Sequence, residues 1–132
     1  MKTVNGSPSS EERSWENSLS VYSKRLELIA SNIANADTPH YKARDLDFKA
    51  AMSHAMQAAP LPTGQAARTL ASPDVLPVLY RVPAQGSADG NTVDMDVERA
   101  AFAETSLRYQ LSVQQVAHEY KEMSELFKSV PY

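Results

Sequence analysis

Residues 15–35 read WENSLSVYSKRLELIASNIAN, and the spacing of their larger side chains decides the fold. Trp15, Leu19, Tyr22, Leu26, Ile29 and Ile33 follow one another at steps of 4, 3, 4, 3 and 4 residues. That is the seam of a coiled coil, not the alternation of a strand. Ser9 with Glu12 three residues later has capping-box spacing, which allows a helix start near Ser10, ahead of Trp15. The other end is fixed by Asn-Ala-Asp-Thr-Pro at 35–39. Proline pushes Thr38 out of the helical region, and the side chains before it favour turns.

Working outward, a second arm repeats the pattern. Phe102, Ser106, Tyr109, Val113, Val116, Tyr120, Met123, Phe127 and Val130 hold one register over four heptads. Asp94, Asp96 and Glu98 gather where this helix should begin, and negative charge is favoured there by the unpaired amides. Between the arms the chain is broken. Five of the eight prolines and three of the four glycines lie between residues 60 and 90. Phe48, Met52, Ala55, Met56 and Ala59 mark a short helix before that break. The stretch 75–82 has strand-like composition, interrupted by Pro77 and closed by Pro83, which limits it to an edge strand or strap.

The expected organisation is a disordered segment over 1–14 and an N-terminal helix over 15–36. An elbow, short helix, mobile linker (58–72) and extended strap then fill 37–92, and a C-terminal helix occupies 93–132. The fold class is mainly α and elongated, with the terminal helices forming a coiled-coil-like pair around a short Pro/Gly-rich, partly extended middle. At about 1.5 Å per residue the first helix spans roughly 30 Å and the second roughly 50 Å. The short arm cannot cover the long one, so the last heptads, with Tyr120, Met123 and Phe127, expose an aromatic stripe unless another chain covers it.

Composition agrees with a subunit completed by neighbours. Of the 42% apolar residues in this 132-residue chain, eighteen are alanine, and Leu, Ile, Val and Phe together number only 26. That is about a fifth, near the lower limit for burying a core. A net charge of -3 without a Lys/Arg cluster speaks against nucleic-acid binding. With no cysteine, disulfides, thiolate metal sites and a cysteine nucleophile are excluded. No run approaches the roughly 18 apolar residues of a membrane span, and the polar stretch 1–14 lacks the apolar centre of a cleaved signal peptide.

The usual signs of catalysis are missing. His118-Glu119 begins like a zinc-protease HExxH, but Glu122 stands where the second histidine belongs. Residues 89–98 fail as a calcium loop, because Arg99 and Thr105 fall where the glycine and the final glutamate are required when counting from Asp94. There is no GxGxxG, GxxxxGK[ST] or GxSxG. Asp45 and Asp47 read as solvated carboxylates of a charged turn, and His54 as a solvent-facing helix residue. No catalytic residue, cofactor or metal is expected.

Two stretches nevertheless carry information. Residues 30–48, ASNIANADTPHYKARDLDF, resemble the N-terminal signature of bacterial flagellar axial proteins, the rod and hook components. Residues 79–98, LYRVPAQGSADGNTVDMDVE, narrow the resemblance to the FlgB family of basal-body rod proteins, and with the two arms it extends over about residues 15–130. In the first motif, Asn32, Ile33, Asn35, Asp37, Thr38, Pro39 and Tyr41 are read as a rigid assembly elbow. The asparagine amides can bond backbone at a helix end, and Asp37 and Thr38 can form side-chain turns. In the second, Asp89, Gly90 and Asn91 make a tight turn, Val93 anchors it, and Asp94 accepts bonds from the first amides of the long helix. The family usually has glycine where this chain has His40, and histidine tolerates positive φ better than most residues. The polar start over 1–14 also departs from the family's usual beginning.

The resemblance implies a non-catalytic subunit of the proximal rod, the drive shaft of the flagellar basal body. It would be exported by the flagellar type III apparatus without a cleaved signal peptide and would lie in the periplasmic rod. Implied partners are FlgC-type rod subunits, a FliE-type adapter and export gate at the rod base, and further copies of itself. The helix seams of Leu19, Tyr22, Leu26 and Ile29, and of Tyr109, Val113, Val116, Tyr120, Met123 and Phe127, would carry assembly. The competing reading is a soluble helical adaptor or secretion chaperone, which would need neither motif.

Overall fold

The computed structural model describes residues 10–57 and 76–129. The linker expected over 58–72, the segment 1–9, Val75 and Val130 lie outside them. The order of elements is α1 (Ser10–Ala34), β1 (Arg44–Leu46), α2 (Phe48–Gln57), β2 (Val78–Tyr80) and α3 (Met95–Ser129). The chain is mainly helical, and its N- and C-terminal helices pack together over a short strand-and-loop middle. No described helix is long and apolar enough to cross a membrane.

Local chemistry explains each boundary. α1 starts at Ser10, five residues before Trp15, and ends where Asn35 and Thr38 divert the backbone into turns, with Thr38 N bonded to Asn35 O at 3.1 Å. Asp47 caps α2, its Oδ1 accepting from the Ala50 amide at 3.0 Å. Asp94 caps α3 through Oδ1, which accepts from the amides of Asp96 at 3.0 Å and Val97 at 3.3 Å. The strap condenses into three residues of strand. β2 pairs antiparallel with β1 in the register Arg44↔Tyr80, Asp45↔Leu79 and Leu46↔Val78, and Pro77 and Pro83 bracket it.

The apolar core lies between α1 and this middle unit. Val21, Leu28, Leu46 and Ala51 are buried, with Phe48, Met52, Ala55, Leu76 and Val78 packed around them. Tyr22 stacks on Phe48 with ring centroids 4.9 Å apart. On the α3 side the buried residues are Glu98, Ala101, Thr105 and Ser112.

This corrects the expected seam of α3. Phe102 (47% exposed) and Val113 (41%) stand outside the contact with α1, while Tyr109, Val116 and Met123 are half-buried. Tyr120 (57%) and Phe127 (75%) are exposed as expected of the last heptads, though the Tyr120 hydroxyl donates to Glu16 Oε1 of α1 at 2.8 Å. The reason is geometric. At about 100° per residue, Phe102 sits roughly 70° round the helix from the buried line, and a seven-residue repeat on a straight α-helix winds back by about 20° per heptad. The stripe therefore begins on the flank near Phe102 and turns into the contact only by Val116 and Met123. In α1, Tyr22 and Ile29 are buried, Leu19, Leu26 and Ile33 half-buried, and Trp15 exposed.

Candidate functional site

The two sequence motifs, some fifty residues apart, form one polar joint at the base of the helix pair. Asn91 links them. Its Nδ2 lies 2.9, 2.9 and 2.8 Å from the carbonyl oxygens of Asn35, Ala36 and Thr38, and its Oδ1 accepts from the Val93 amide at 2.8 Å. The carbonyls left free where α1 ends are thus satisfied from the far side of the chain. Backbone pairs add to this: His40 N donates to Asp89 O at 3.0 Å and Thr92 N to Tyr41 O at 3.0 Å. Thr92 Oγ1 accepts from the Ala43 amide at 2.8 Å, and Lys42 Nζ donates to Gly90 O at 2.8 Å.

Asn32 acts on strand β1, not on the helix end. It is buried, donates through Nδ2 to Arg44 O at 2.7 Å and accepts through Oδ1 from Arg44 N at 3.0 Å. A side-chain amide thereby pairs the strand as a neighbouring backbone would. The Tyr41 hydroxyl reaches Ser31 Oγ at 3.1 Å and donates to Asn32 Oδ1 at 3.4 Å. Asn35 closes its own turn by donating to Ser31 O at 2.8 Å and accepting from Thr38 Oγ1 at 3.1 Å. Ile33 and Val93 are half-buried; Asp37 and Pro39 lie on the exposed outside of the elbow.

The joint requires two left-handed residues. His40 has φ 60° and Gly90 φ 75°, so His40 keeps the conformation that glycine usually supplies. The two are neighbours: a Cβ added to Gly90 would lie 2.9 Å from His40 Nδ1. Asp89 accepts from the Asn91 amide at 3.0 Å and from Ser87 Oγ at 2.9 Å, and these bonds hold its carboxyl below the usual range.

Beneath the elbow lies a charge chain that the periodicity of the sequence does not show. Arg25 Nε donates to Asp45 Oδ1 at 3.1 Å, Arg81 donates through one terminal nitrogen to Asp45 Oδ2 at 2.8 Å and through the other to Glu98, and Asn32 Nδ2 donates to Glu98 Oε2 at 3.2 Å. Asp45 is therefore no solvated turn residue. Burial raises its pKa, but the bonds from Arg25, Arg81 and the Leu46 amide outweigh that and lower it overall. Glu98 is fully buried, more than a helix-start charge. Its burial, aided by the nearby Asp45 carboxylate, raises its pKa against the lowering effects of Asn32 and Arg81. A sequence sign did exist, since Asp45, Arg81 and Glu98 all fall within the two motifs.

Among the described residues no three His, Asp or Glu side chains gather as a metal site. His118 forms an exposed i,i+4 pair with Glu122 at 3.2 Å, and His54 faces solvent. What the arrangement can do is hold a rigid bend while the flank of α3 presents Phe102, Val113 and Phe127, and the ring of Tyr120, whose hydroxyl donates to Glu16 of α1 at 2.8 Å.

Comparison with known proteins assigns this arrangement a context. Residues 16–42 match the family model described as flagella basal body rod protein. The chain is 40% identical over 127 residues to flagellar basal body rod protein FlgB of Escherichia coli K12, covering 89% of this chain and 92% of that protein. It is 41% identical over 126 residues to the Salmonella typhimurium protein of the same name, covering 88% and 91%. The Cereibacter sphaeroides FlgB is 50% identical over 91 residues, covering 67% of this chain and 71% of the relative.

Proposed function

The chain belongs to the FlgB family of flagellar basal body rod proteins, and from that membership we propose how it serves as a structural subunit of the rod. The subunit polymerises through its terminal helices and carries out no catalysis. The elbow fixes the bend at the base of each helix pair, and the exposed flank of α3 supplies the surface that neighbouring subunits cover. Single apolar side chains on a surface need no explanation, but a row of four aromatic or branched residues along one flank of a 35-residue helix does. Repetition of one such contact between unlike faces builds a helical tube, not a closed oligomer.

Its neighbours on this reading are FlgC-type rod subunits, a FliE-type adapter and export gate, and further copies of itself. It reaches the periplasmic rod through the flagellar type III apparatus without signal cleavage. The observation that carries the reading is the similarity to named rod proteins across nearly nine-tenths of the chain. Deletion in the native bacterium should abolish swimming, and the chain should co-purify with basal bodies. A soluble adaptor or chaperone would be absent from them. Complementation with Val113→Asp or Phe127→Asp should leave the subunit soluble and exported but the cells non-motile, whereas normal swimming would show that this flank stays in solvent.

A further inference from the structure

Arg81 follows strand β2 and stands between two carboxylates that belong to different parts of the fold. One end of its guanidinium meets Asp45 of β1 at 2.8 Å, and the other meets Glu98 in the first turns of α3. Both acceptors are themselves fixed from α1, Asp45 by Arg25 at 3.1 Å and Glu98 by Asn32 at 3.2 Å. A guanidinium is a planar fork, so holding both ends fixes direction as well as distance.

The rest of the α3 contact fixes direction less strictly. Its other buried residues, Ala101, Thr105 and Ser112, are small. They let the helices approach without keying one rotation. The larger side chains on this side, Tyr109, Val116 and Met123, are only half-buried, and farther along the helix the Tyr120 hydroxyl meets the Glu16 carboxylate of α1 at 2.8 Å as an exposed bond between two long side chains. We infer that Arg81 is the positioning residue of the subunit, setting the direction of α3 relative to the unit of α1, α2 and the two strands, and this rests on the rod reading for its consequence in assembly. Leverage makes that direction matter. In a helix of 35 residues, about 52 Å long, a tilt of about 10° at the base moves the far end by roughly 9 Å. Subunits with scattered α3 directions cannot repeat one contact.

Exposed Ser53 on α2 and Gln114 on α3 can be changed to cysteine in a chain that has none, and spin-labelled in the purified full-length protein. The unaltered clasp should give one narrow interspin distance, with Arg81→Met and Glu98→Gln at least doubling its width and Arg81→Lys falling between. The double variant Arg81→Met/Glu98→Met replaces the pair with apolar side chains, so it should regain most of the thermal midpoint lost by Arg81→Met. Its distance distribution should stay broad and its cells non-motile. This variant separates positioning from stability, and with Arg81→Lys it decides the matter even if Arg81→Met fails to fold. An unchanged distribution in Arg81→Lys and a narrow one in the double variant would overturn the inference, as would normal swimming by the double variant. Swimming by the deletion strain would instead overturn the rod reading, leaving the spin-label widths to judge Arg81.

Discussion

On one side of α1, Val21 and Leu28 meet Leu46 and Ala51 in an apolar cluster; on the other, α3 contributes Ala101, Thr105, Ser112 and the carboxylate of Glu98. The same helix thus holds two neighbours by different means. Apolar area binds the middle unit to α1. The α3 contact is close but poor in buried apolar surface, and among the described residues Thr105 Oγ1 is the only buried side-chain polar atom without a hydrogen-bond partner. Several larger side chains of α3, Phe102, Leu107, Leu111, Val113 and Phe127 among them, are exposed. A subunit with its stickiest face kept outside and its bend fixed by polar bonds is stable enough to fold and still has surface left to assemble with.

The contrast breaks first at Leu28. Leu28→Ala should cost about 2–5 kcal/mol, because it removes a buried side chain from the one apolar cluster described. The helical signal should then melt as a whole in thermal denaturation. A loss below about 1 kcal/mol would mean that stability resides elsewhere.

Enlarging the other side tests the opposite requirement. Ala101→Leu adds apolar atoms to the α3 contact, yet it should destabilise by about 1–3 kcal/mol, since a close approach between helices has no room for them. A raised denaturation midpoint would show instead that this contact was merely underfilled.

The joint linking the two regions should show coupling of similar size. Gly90→Ala forces a Cβ into His40 and into a left-handed backbone, at a cost of about 1–3 kcal/mol. His40→Gly removes the obstructing ring, so the double variant should recover part of that loss. Strict additivity of the two single effects would deny the contact.

A smaller gain is expected at Thr105. Thr105→Val keeps the shape and removes the unpartnered hydroxyl, which should stabilise by about 1 kcal/mol. Destabilisation would reveal a partner for the hydroxyl in solution.

The smallest effect is the pH slope, and the carboxylates of buried Glu98 and half-buried Asp45 oppose each other in it. Glu98, raised in the fold, contributes stability that is complete below its ordinary value of 4.5 and lost as pH rises through its folded value. Asp45, lowered in the fold, contributes stability present above its ordinary 3.8 and lost as pH falls through its folded value. Acidifying from neutrality should therefore raise the denaturation midpoint slightly as pH approaches 4.5 and depress it below 3.8. Glu98→Gln should abolish the first change and keep the second; an unchanged upper slope would place Glu98 in solvent.

Much of this fold was legible along the chain because helices and turns are written in short-range spacing. The period of 3 and 4 at Leu19, Tyr22, Leu26 and Ile29 names a helix whatever surrounds it, Pro39 ends one, and Pro77 and Pro83 confine a strand. Asp94 caps α3 for the same local reason, and Gly90 turns left-handed because its neighbours demand a tight bend. The tertiary structure alone decided what each helix face meets. A heptad stripe says that α3 has an apolar side, not that α1 will take the line from Glu98 to Ser112 roughly 70° from Phe102. Nor does any local rule bring Asn91 to the end of α1, or draw half-buried Asp45 and Arg81 and buried Glu98 into one chain. Whether a carboxylate is solvated or buried depends on the charges that the rest of the fold brings beside it, and those lie tens of residues away.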